Sequence, residues 1–406
     1  MSDKKKIMII AHFCDYGNEN TNNRFNYLAD YISRCGYDVE LVTSSFSHRD
    51  KIQRQKVKNT ENTYRSTLIY EPGYRKNISL KRLFWSHRII AKNLEKYLEH
   101  CETPDLVYCA IPSIDISEVA GRYAKKKGIP FVIDVQDLWP EAYRLILKNE
   151  RLYRMVTAPM EKRVNDVYSL ADQIVAVSDT YAQRAKAANK KKNSPITVYL
   201  GTEASTFDQA VKQNTPPYCK PDKEFWIGYC GTLGHSYDLT VIMLALKKLL
   251  DEGVRSIRFI IMGCGPLQKK FKAMSEKLGI ACTFTGKLTY ELMCAQLCEC
   301  DIAVNPIAKG AMQSIINKHA DYAMSGIPVL STQENEEYKK LLNQYHSGIS
   351  CKPDSINDIA YGIKWFIDNK EKRLEMGRNA RKMGMEKFDR FRNYCKIADV
   401  VQKCCL

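Results

Sequence analysis

No stretch of this 406-residue sequence reaches 18 consecutive apolar residues, so it offers no candidate for a membrane-crossing helix. The first apolar run, 7–11 after Met1-Ser2-Asp3-Lys4-Lys5-Lys6, is too short for the apolar region of an export signal. The cluster Cys294, Cys298, Cys300 has no second CxxC-like pair, which leaves structural zinc without its ligand spacing. No G-x-G-x-x-G follows the first predicted strand, which argues against a nicotinamide dehydrogenase, and no Walker lysine is present. Recognition-helix modules, zinc fingers and aromatic RNA-binding signatures are missing as well, so nucleic acid is not the expected partner. Acidic residues are scarce where basic ones gather. The net charge is +16, and residues 51–100 alone hold 12 Lys and Arg against 4 Asp and Glu. A patch of that kind calls for a polyanionic partner: nucleic acid, an anionic bilayer or phosphorylated substrates.

What is present reads as a large globular chain. Hydrophobic residues at 45% and charged residues at 27% match ordinary soluble domains and exclude disorder of the whole. The 15 cysteines are odd in number in a long chain without an export signal, so reduced thiols and a cytoplasmic location are expected.

Short β-branched runs alternate with longer amphipathic stretches, the pattern of βα units around parallel sheets. Strands are predicted at 7–11, 38–43, 106–110, 131–135 and 173–177, with helices at 23–35, 80–100 and 118–127. The 80–100 helix is basic and carries Leu83, Phe84, Trp85, Ile89 and Ile90. Asn214-Thr215-Pro216-Pro217, with Pro221 just beyond, is the strongest linker signal. The series then restarts, with strands at 226–229, 258–262, 283–285, 302–304 and 329–330, helices at 239–251, 267–278 and 318–324, and a helical tail from 356. The expected fold is α/β: two doubly wound parallel-sheet domains, the first over 1–210. Ligands of such sheets bind at the carboxyl ends of strands, so two facing domains would hold the site in the cleft between them.

Three strand-to-helix turns of the second half carry the chemistry. In Asn305–Ser331, Ser314 or Asn317 would cap a helix whose first turn contains Lys318. A lysine there opposes the helix dipole and asks for a compensating anion, and free amides at the same end form an anion site. Asp321, one turn past Asn317, could accept ribose hydroxyls. The turn Gly231-Thr232-Leu233-Gly234 and the turn Gly263-Cys264-Gly265-Pro266 would let backbone approach a phosphate, although Pro266 suits a purely structural turn equally. In the first half, Asp137 and Glu141 flank Trp139 after a strand, where a carboxylate can act as a base or hold sugar hydroxyls. The loop around Gly17 and Asn18 is dense in amides and suits a polyhydroxylated ligand. His12, His48 and His235 show no ligand spacing and read as satisfied or surface histidines.

Taken in order, Asp137-Leu138-Trp139-Pro140-Glu141, Gly231-Thr232-Leu233-Gly234, Gly263-Cys264-Gly265-Pro266 and Ser314/Asn317/Lys318/Asp321/Tyr322 ahead of Ser325-Gly326-Ile327-Pro328-Val329 resemble the retaining GT-B glycosyltransferases of family 4, in particular a bacterial surface-polysaccharide branch. The resemblance implies two facing Rossmann-like domains, a sugar-nucleotide domain over 211–385, and a last helix, 386–406, crossing back to the first domain. It implies no metal and no cofactor, with a UDP- or GDP-linked sugar as co-substrate. Many family members carry Glu-x7-Glu where this chain has Gln313 and Asp321, and Arg and Lys where it has Thr232 and Tyr237. Gln136 stands where many carry His. Lys318 is the candidate for the missing diphosphate charge, with Asp137 its catalytic companion, and Gly17, Asn18, Gly231, Thr232, Gly234, Gly263, Gly265, Gln313, Ser314, Asn317 and Asp321 as donor-binding candidates.

The activity expected is transfer of a hexose-type sugar to a glycan or polyprenyl-linked acceptor, with the basic 51–100 stretch docking on the anionic inner leaflet. A sugar-nucleotide epimerase of similar shape is the alternative enzyme, and a nucleic-acid-binding protein the alternative that also explains the charge.

Overall fold

The computed structural model describes residues 4–16, 19, 23–55, 63–75, 81–145, 147, 149–311 and 313–406. Gly17 and Asn18 lie outside these, as do the side chains of Leu83 and Phe84. The chain forms two compact units, Met1–Tyr199 with Tyr394–Leu406, and Leu200–Asn393.

The first unit is built on strands β1 (Lys6–Ile10), β2 (Asp38–Ser44), β5 (Arg65–Ile69), β6 (Leu106–Ile111), β7 (Phe131–Val135), β8 (Gln173–Ala176) and β9 (Ile196–Thr197), with a small antiparallel hairpin of β3 (Phe46–Ser47) and β4 (Ile52–Gln53). The seven strands run parallel in the order β5-β2-β1-β6-β7-β8-β9. β6 and β7 are buried along their whole length because helices cover both faces, which is why β6 reads as an apolar run without alternation and β7 as one interrupted only by Asp134. The chain lays β2 and β5 on one side of β1, then returns to place β6 on the other, so the strand order reverses between β1 and β6. The final helix Cys395–Cys405 belongs to this unit and buries Ile397, Val400 and Val401 in the core formed by Ile7, Ile9, Leu28 and Leu106.

The second unit repeats the plan with β10 (Phe225–Cys230), β11 (Ile257–Met262), β12 (Cys282–Gly286), β13 (Ile302–Asn305), β14 (Val329–Ser331) and β15 (Gly348–Ser350), parallel in the order β12-β11-β10-β13-β14-β15. Here the order reverses between β10 and β13. Ile227, Phe259, Val304 and Leu330 pack against the Leu239–Asp251 and Ile356–Asp368 helices.

Two expectations meet a different arrangement. The proline-rich segment at 214–217 lies inside the second unit: the helix Ala204–Gln213 that precedes it is anchored there, the Ala204 N–H donating to Asp389 Oδ1 at 3.2 Å and the Thr202 N–H to Phe388 O at 3.1 Å. Composition marks a loop, whereas contacts decide where a unit ends, and they place the change at 199/200. The 80–100 segment is a π-helical turn, Lys81–Ser86, followed by an α-helix, His87–His100. Ile90, Leu94 and Leu98 are buried, so the apolar face of that helix is used by its own unit and leaves Trp85 exposed. All fifteen cysteines are free thiols. No helix among the described residues is long and apolar enough to cross a membrane.

Candidate functional site

In doubly wound sheets the reversal of strand order opens a crevice at the carboxyl ends of the strands. In the second unit that position is lined by Gly231 after β10, by the segment after β13, and by the helix Asn317–Met324. Lys318 enters it. The residue is buried, its Nζ makes no hydrogen bond among the described residues, and the ammonium lies 4.2 Å from the Tyr229 ring centroid and 3.6 Å from that of Tyr237. Cation–π contact with two rings replaces part of the lost hydration but supplies no countercharge. Burial accordingly drives the lysine down to about 7, against the opposing pull of Cys230 and Asp321. A cation without a hydrogen-bond partner among the described residues, held in a strand-end crevice, is chemically suited to an anion. Gln313 adds a buried Oε1, also without a partner among the described residues.

The glycines beside it owe their identity to the backbone. Gly231 sits at φ +137°, and a Cβ there would meet Lys318 Nζ at 3.0 Å, so the ammonium rests against the turn itself. At Gly263, φ +146°, a Cβ would fall 1.9 Å from Gly231 O, and at Gly265 2.4 Å from Leu233 O. The two turns pack main chain on main chain. Three of their amides are already bonded: Gly231 N–H donates to Met262 O at 2.9 Å, Leu233 N–H to Cys264 O at 3.0 Å, and Gly263 N–H to Gly286 O at 2.8 Å. Of the candidates here, Thr232 and Gly234 border open space, a Cβ on Gly234 finding only Thr232 Cγ2 at 3.6 Å.

The start of the Asn317–Met324 helix also differs in detail from the sequence expectation. Ile316 occupies the cap position, and neither Ser314 nor Asn317 caps with its side chain. Ser314 is fully buried and its hydroxyl donates to Glu337 Oε2 at 3.1 Å, while Asn317 is an exposed first residue of the helix. Capping falls to the His319 ring, whose Nδ1 accepts from the Ile316 N–H at 3.3 Å while the ring stacks on Tyr338 at 3.5 Å. Asp321 is buried and accepts from the Tyr290 hydroxyl at 3.1 Å, which in turn pairs with Thr202 Oγ1 at 2.6 Å. Burial raises the Asp321 carboxyl to about 6, with Tyr290, Arg390 and Lys318 opposing.

In the first unit Asp137 follows β7, accepts from the Leu138 N–H at 2.9 Å, and is raised by burial to about 6. Glu141 is turned away to Arg184. Gln136 donates to Asp134 Oδ1 at 2.6 Å, joining a buried knot in which Arg24 Nε and the Tyr108 hydroxyl donate to Asp134 Oδ2 at 2.8 and 2.7 Å. It is a structural residue here.

The sequence reading missed a second cluster at this unit's own strand reversal. His12 after β1 and Ser113 after β6 meet across it, Nδ1 to Oγ at 2.5 Å. His12 Nε2 lies 2.8 Å from Glu71 Oε2, and Ser44 and Ser86 donate to the same carboxylate at 2.5 and 2.6 Å. Burial would raise Glu71, but His12 and the two serines together hold it near 2. His87 and Arg82 complete the group, the Arg82 Nε–H donating to His87 Nε2 at 3.3 Å. No spacing announces these residues, because five separate segments deliver them.

Two family models cover most of the chain: "Glycosyl transferases group 1" matches residues 212–383, and "Glycosyltransferase Family 4" residues 22–199. The chain belongs to the GT-B glycosyltransferases of family 4 type. No curated protein matches this glycosyltransferase by sequence. Among solved structures it is similar to a sucrose-phosphate synthase from Thermosynechococcus elongatus, TM-score 0.74 at 14% identity over 98% of this chain and 99% of that one. It is similar too to HepE of Anabaena in complex with UDP-glucose, TM-score 0.67 at 13% identity over 98% and 99%. WaaG, a glycosyltransferase of lipopolysaccharide biosynthesis, gives TM-score 0.67 at 13% identity over 97% and 99%. Such distant likeness speaks for the GT-B fold. Within it, the glycosyltransferase's departures acquire places: Tyr237 forms one wall around Lys318, and Gln313 contributes a buried oxygen without a partner among the described residues.

Proposed function

We propose that this glycosyltransferase moves a sugar from a nucleoside diphosphate donor, with retention of configuration, to a glycan acceptor on a lipid carrier in surface-polysaccharide synthesis. The observation that carries the donor assignment is the buried Lys318 ammonium, without a hydrogen-bond partner among the described residues, at the strand reversal of the second unit. A diphosphate would supply the countercharge that Lys318 lacks, and the same contact would strengthen as negative charge grows on the leaving group. Thr232 and Gly234 would flank the phosphates, Gln313 would contact the sugar and Asp321 the ribose. On this reading Lys318 does the work of a metal, and chelation with EDTA leaves the rate intact. In the first unit Asp137 would orient the acceptor hydroxyl. UDP is the first donor base to test, since HepE is held with UDP and with UDP-glucose. A melting-temperature screen against sugar nucleotides and free nucleotides decides the matter, because a ligand bound only by the native state raises stability. If no nucleoside diphosphate shifts the transition, or if Lys318→Met leaves the shift unchanged, the assignment is wrong.

We also propose that the enzyme works against an anionic bilayer. With the apolar face of His87–His100 packed inside, the exposed stripe lies on the helix Glu150–Leu170: Leu152, Met155 and Val156, at 43, 71 and 55% exposure, stand beside Arg151 and Arg154. Spacing of i, i+3, i+4 puts the three on one face. Flotation with anionic vesicles, lost in a Leu152→Ser/Met155→Ser/Val156→Ser variant, tests it; binding that survives overturns this surface.

A further inference from the structure

Positive groups crowd the strand ends of the first unit. Arg82 is buried, its guanidinium 5.2 Å from the Phe13 ring centroid, 5.5 Å from Tyr74 and 5.2 Å from Trp139. Lys51, at the tip of the β3–β4 hairpin, holds its ammonium 4.9 Å from the Tyr74 ring and 3.5 Å from His48 Nδ1, and also donates to His48 O. His48 Nδ1 is paired with the Tyr74 hydroxyl at 2.5 Å. Glu71 is the carboxylate inside the group, and His12, Ser44 and Ser86 already occupy its oxygens. The groups repel one another: besides burial, Arg82 and Lys51 lower His48 to about 3, and His12 and Arg82 lower His87 to about 2. Because Arg82 Nε–H donates to His87 Nε2, the ring proton of His87 must sit on Nδ1.

His12, Glu71 and His87 present ligand atoms within 4.8 Å of one another, a spacing that also fits a metal ion. The charge does not. A guanidinium donates to one of the three, Lys51 stands nearby, and a further cation would meet two positive neighbours with a single, already bonded carboxylate between them. Phe13, His48, Lys51 and Trp139 beside the cluster are half-buried and keep part of their surface in solvent. Aromatic faces around fixed cations beside a strand reversal suit a ligand with a charged group next to a sugar ring.

We propose that Arg82 and Lys51, backed by His48 and His87, form a subsite for a phosphoryl group carried by the acceptor, next to the sugar that receives the transfer. This deepens the glycosyltransferase reading and rests on it. It also gives part of the 51–100 basic excess a role inside a site. The shared chemistry is a phosphate or diphosphate, whether on a lipid carrier or on a free sugar phosphate.

The experiment uses the full chain saturated with UDP, and calorimetry with inorganic pyrophosphate as the probe. The expected result is a second binding event that Lys51→Gln weakens at least fivefold and Arg82→Gln abolishes, with UDP binding unchanged in both. Turnover then separates charged from neutral acceptors, and the charged acceptor with the higher wild-type kcat/KM identifies the source. A sugar 1-phosphate and a polyprenyl diphosphate sugar should each lose at least tenfold in kcat/KM in Lys51→Gln, whereas the same sugar on a neutral alkyl chain should lose less than twofold. If Arg82→Gln does not fold, the Lys51→Gln comparison stands alone. Pyrophosphate that competes with UDP without a second event overturns the subsite, as does equal loss on charged and neutral acceptors, or a divalent ion bound where pyrophosphate is not. Absence of UDP binding in the wild type would instead overturn the donor assignment.

Discussion

The two strand reversals of this molecule treat a buried charge in opposite ways. Around Lys318 the cation has aromatic walls and no hydrogen-bond acceptor among the described residues. At the other reversal the Glu71 carboxylate is fully answered, taking bonds from His12, Ser44 and Ser86. A satisfied network of this kind holds loops in register, whereas an unsatisfied charge stores a deficit that a ligand removes. Removing Glu71 should therefore cost stability first, and removing Lys318 should cost activity first.

The largest effect is expected at Lys318. Lys318→Met removes a buried charge that has no hydrogen-bond partner among the described residues, so the melting temperature should hold or rise while transfer falls by about 100-fold, the scale of one lost electrostatic contact to the leaving group. Paired melting and kinetic measurements check both signs, and a variant both unstable and active would erase the contrast. Next comes Glu71→Gln, which takes the carboxylate charge from beside His12 and turns an NH2 donor on a group that now donates to Glu71, and should destabilise by about 3 kcal/mol in denaturant unfolding. Its donor affinity should stay unchanged.

Protonation sharpens the comparison. Lys318 releases its proton near pH 7 in the folded state but near 10.5 when unfolded, so folding sheds a proton between those values and its share of stability rises with pH there. Donor binding needs the ammonium, so apparent UDP affinity should fall about tenfold per pH unit above 7. Lys318→Met should flatten the profile. Glu71 gives a slope of the same sign in a lower window, though there it is the charged form that folding favours: held near 2 against the usual 4.5, it contributes stability above pH 4.5 that is lost as pH falls toward 2. A smaller effect is expected from Asp137, lifted to about 6 by burial. The acidic limb of kcat/KM should rise through pH 6, and Asp137→Asn should remove that limb at a cost of about 10-fold.

Much of the fold was legible because burial on both faces writes itself into composition. The strand at 131–135 and the helix at 239–251 fall at their predicted positions, the first apolar except for Asp134 and the second an amphipathic stretch with Asp238 as its cap. Less visible were the edge strands Arg65–Ile69 and Gly348–Ser350, half-exposed and short, whose membership depends on a neighbour rather than on their own pattern. Of the candidate site, Lys318 was legible because a lysine in the first turn of a helix contradicts the local dipole. Its tyrosine walls were not, since Tyr229 and Tyr237 reach it from another strand and loop. The glycines at 263 and 265 were visible as glycines, but only the packed turns reveal that backbone contact at 231 and 233 demands them.

The sequence by itself determined the two sets of βα units, the surplus of positive charge and the misplaced lysine, because hydrophobic period, net charge and helix dipole are all properties of neighbours along the chain. The tertiary structure alone decided which charges go unanswered. His12, Glu71 and Trp139 are separated by tens of residues, and only the reversal of strand order brings their loops to one edge, where Coulomb energy depends on distance in space.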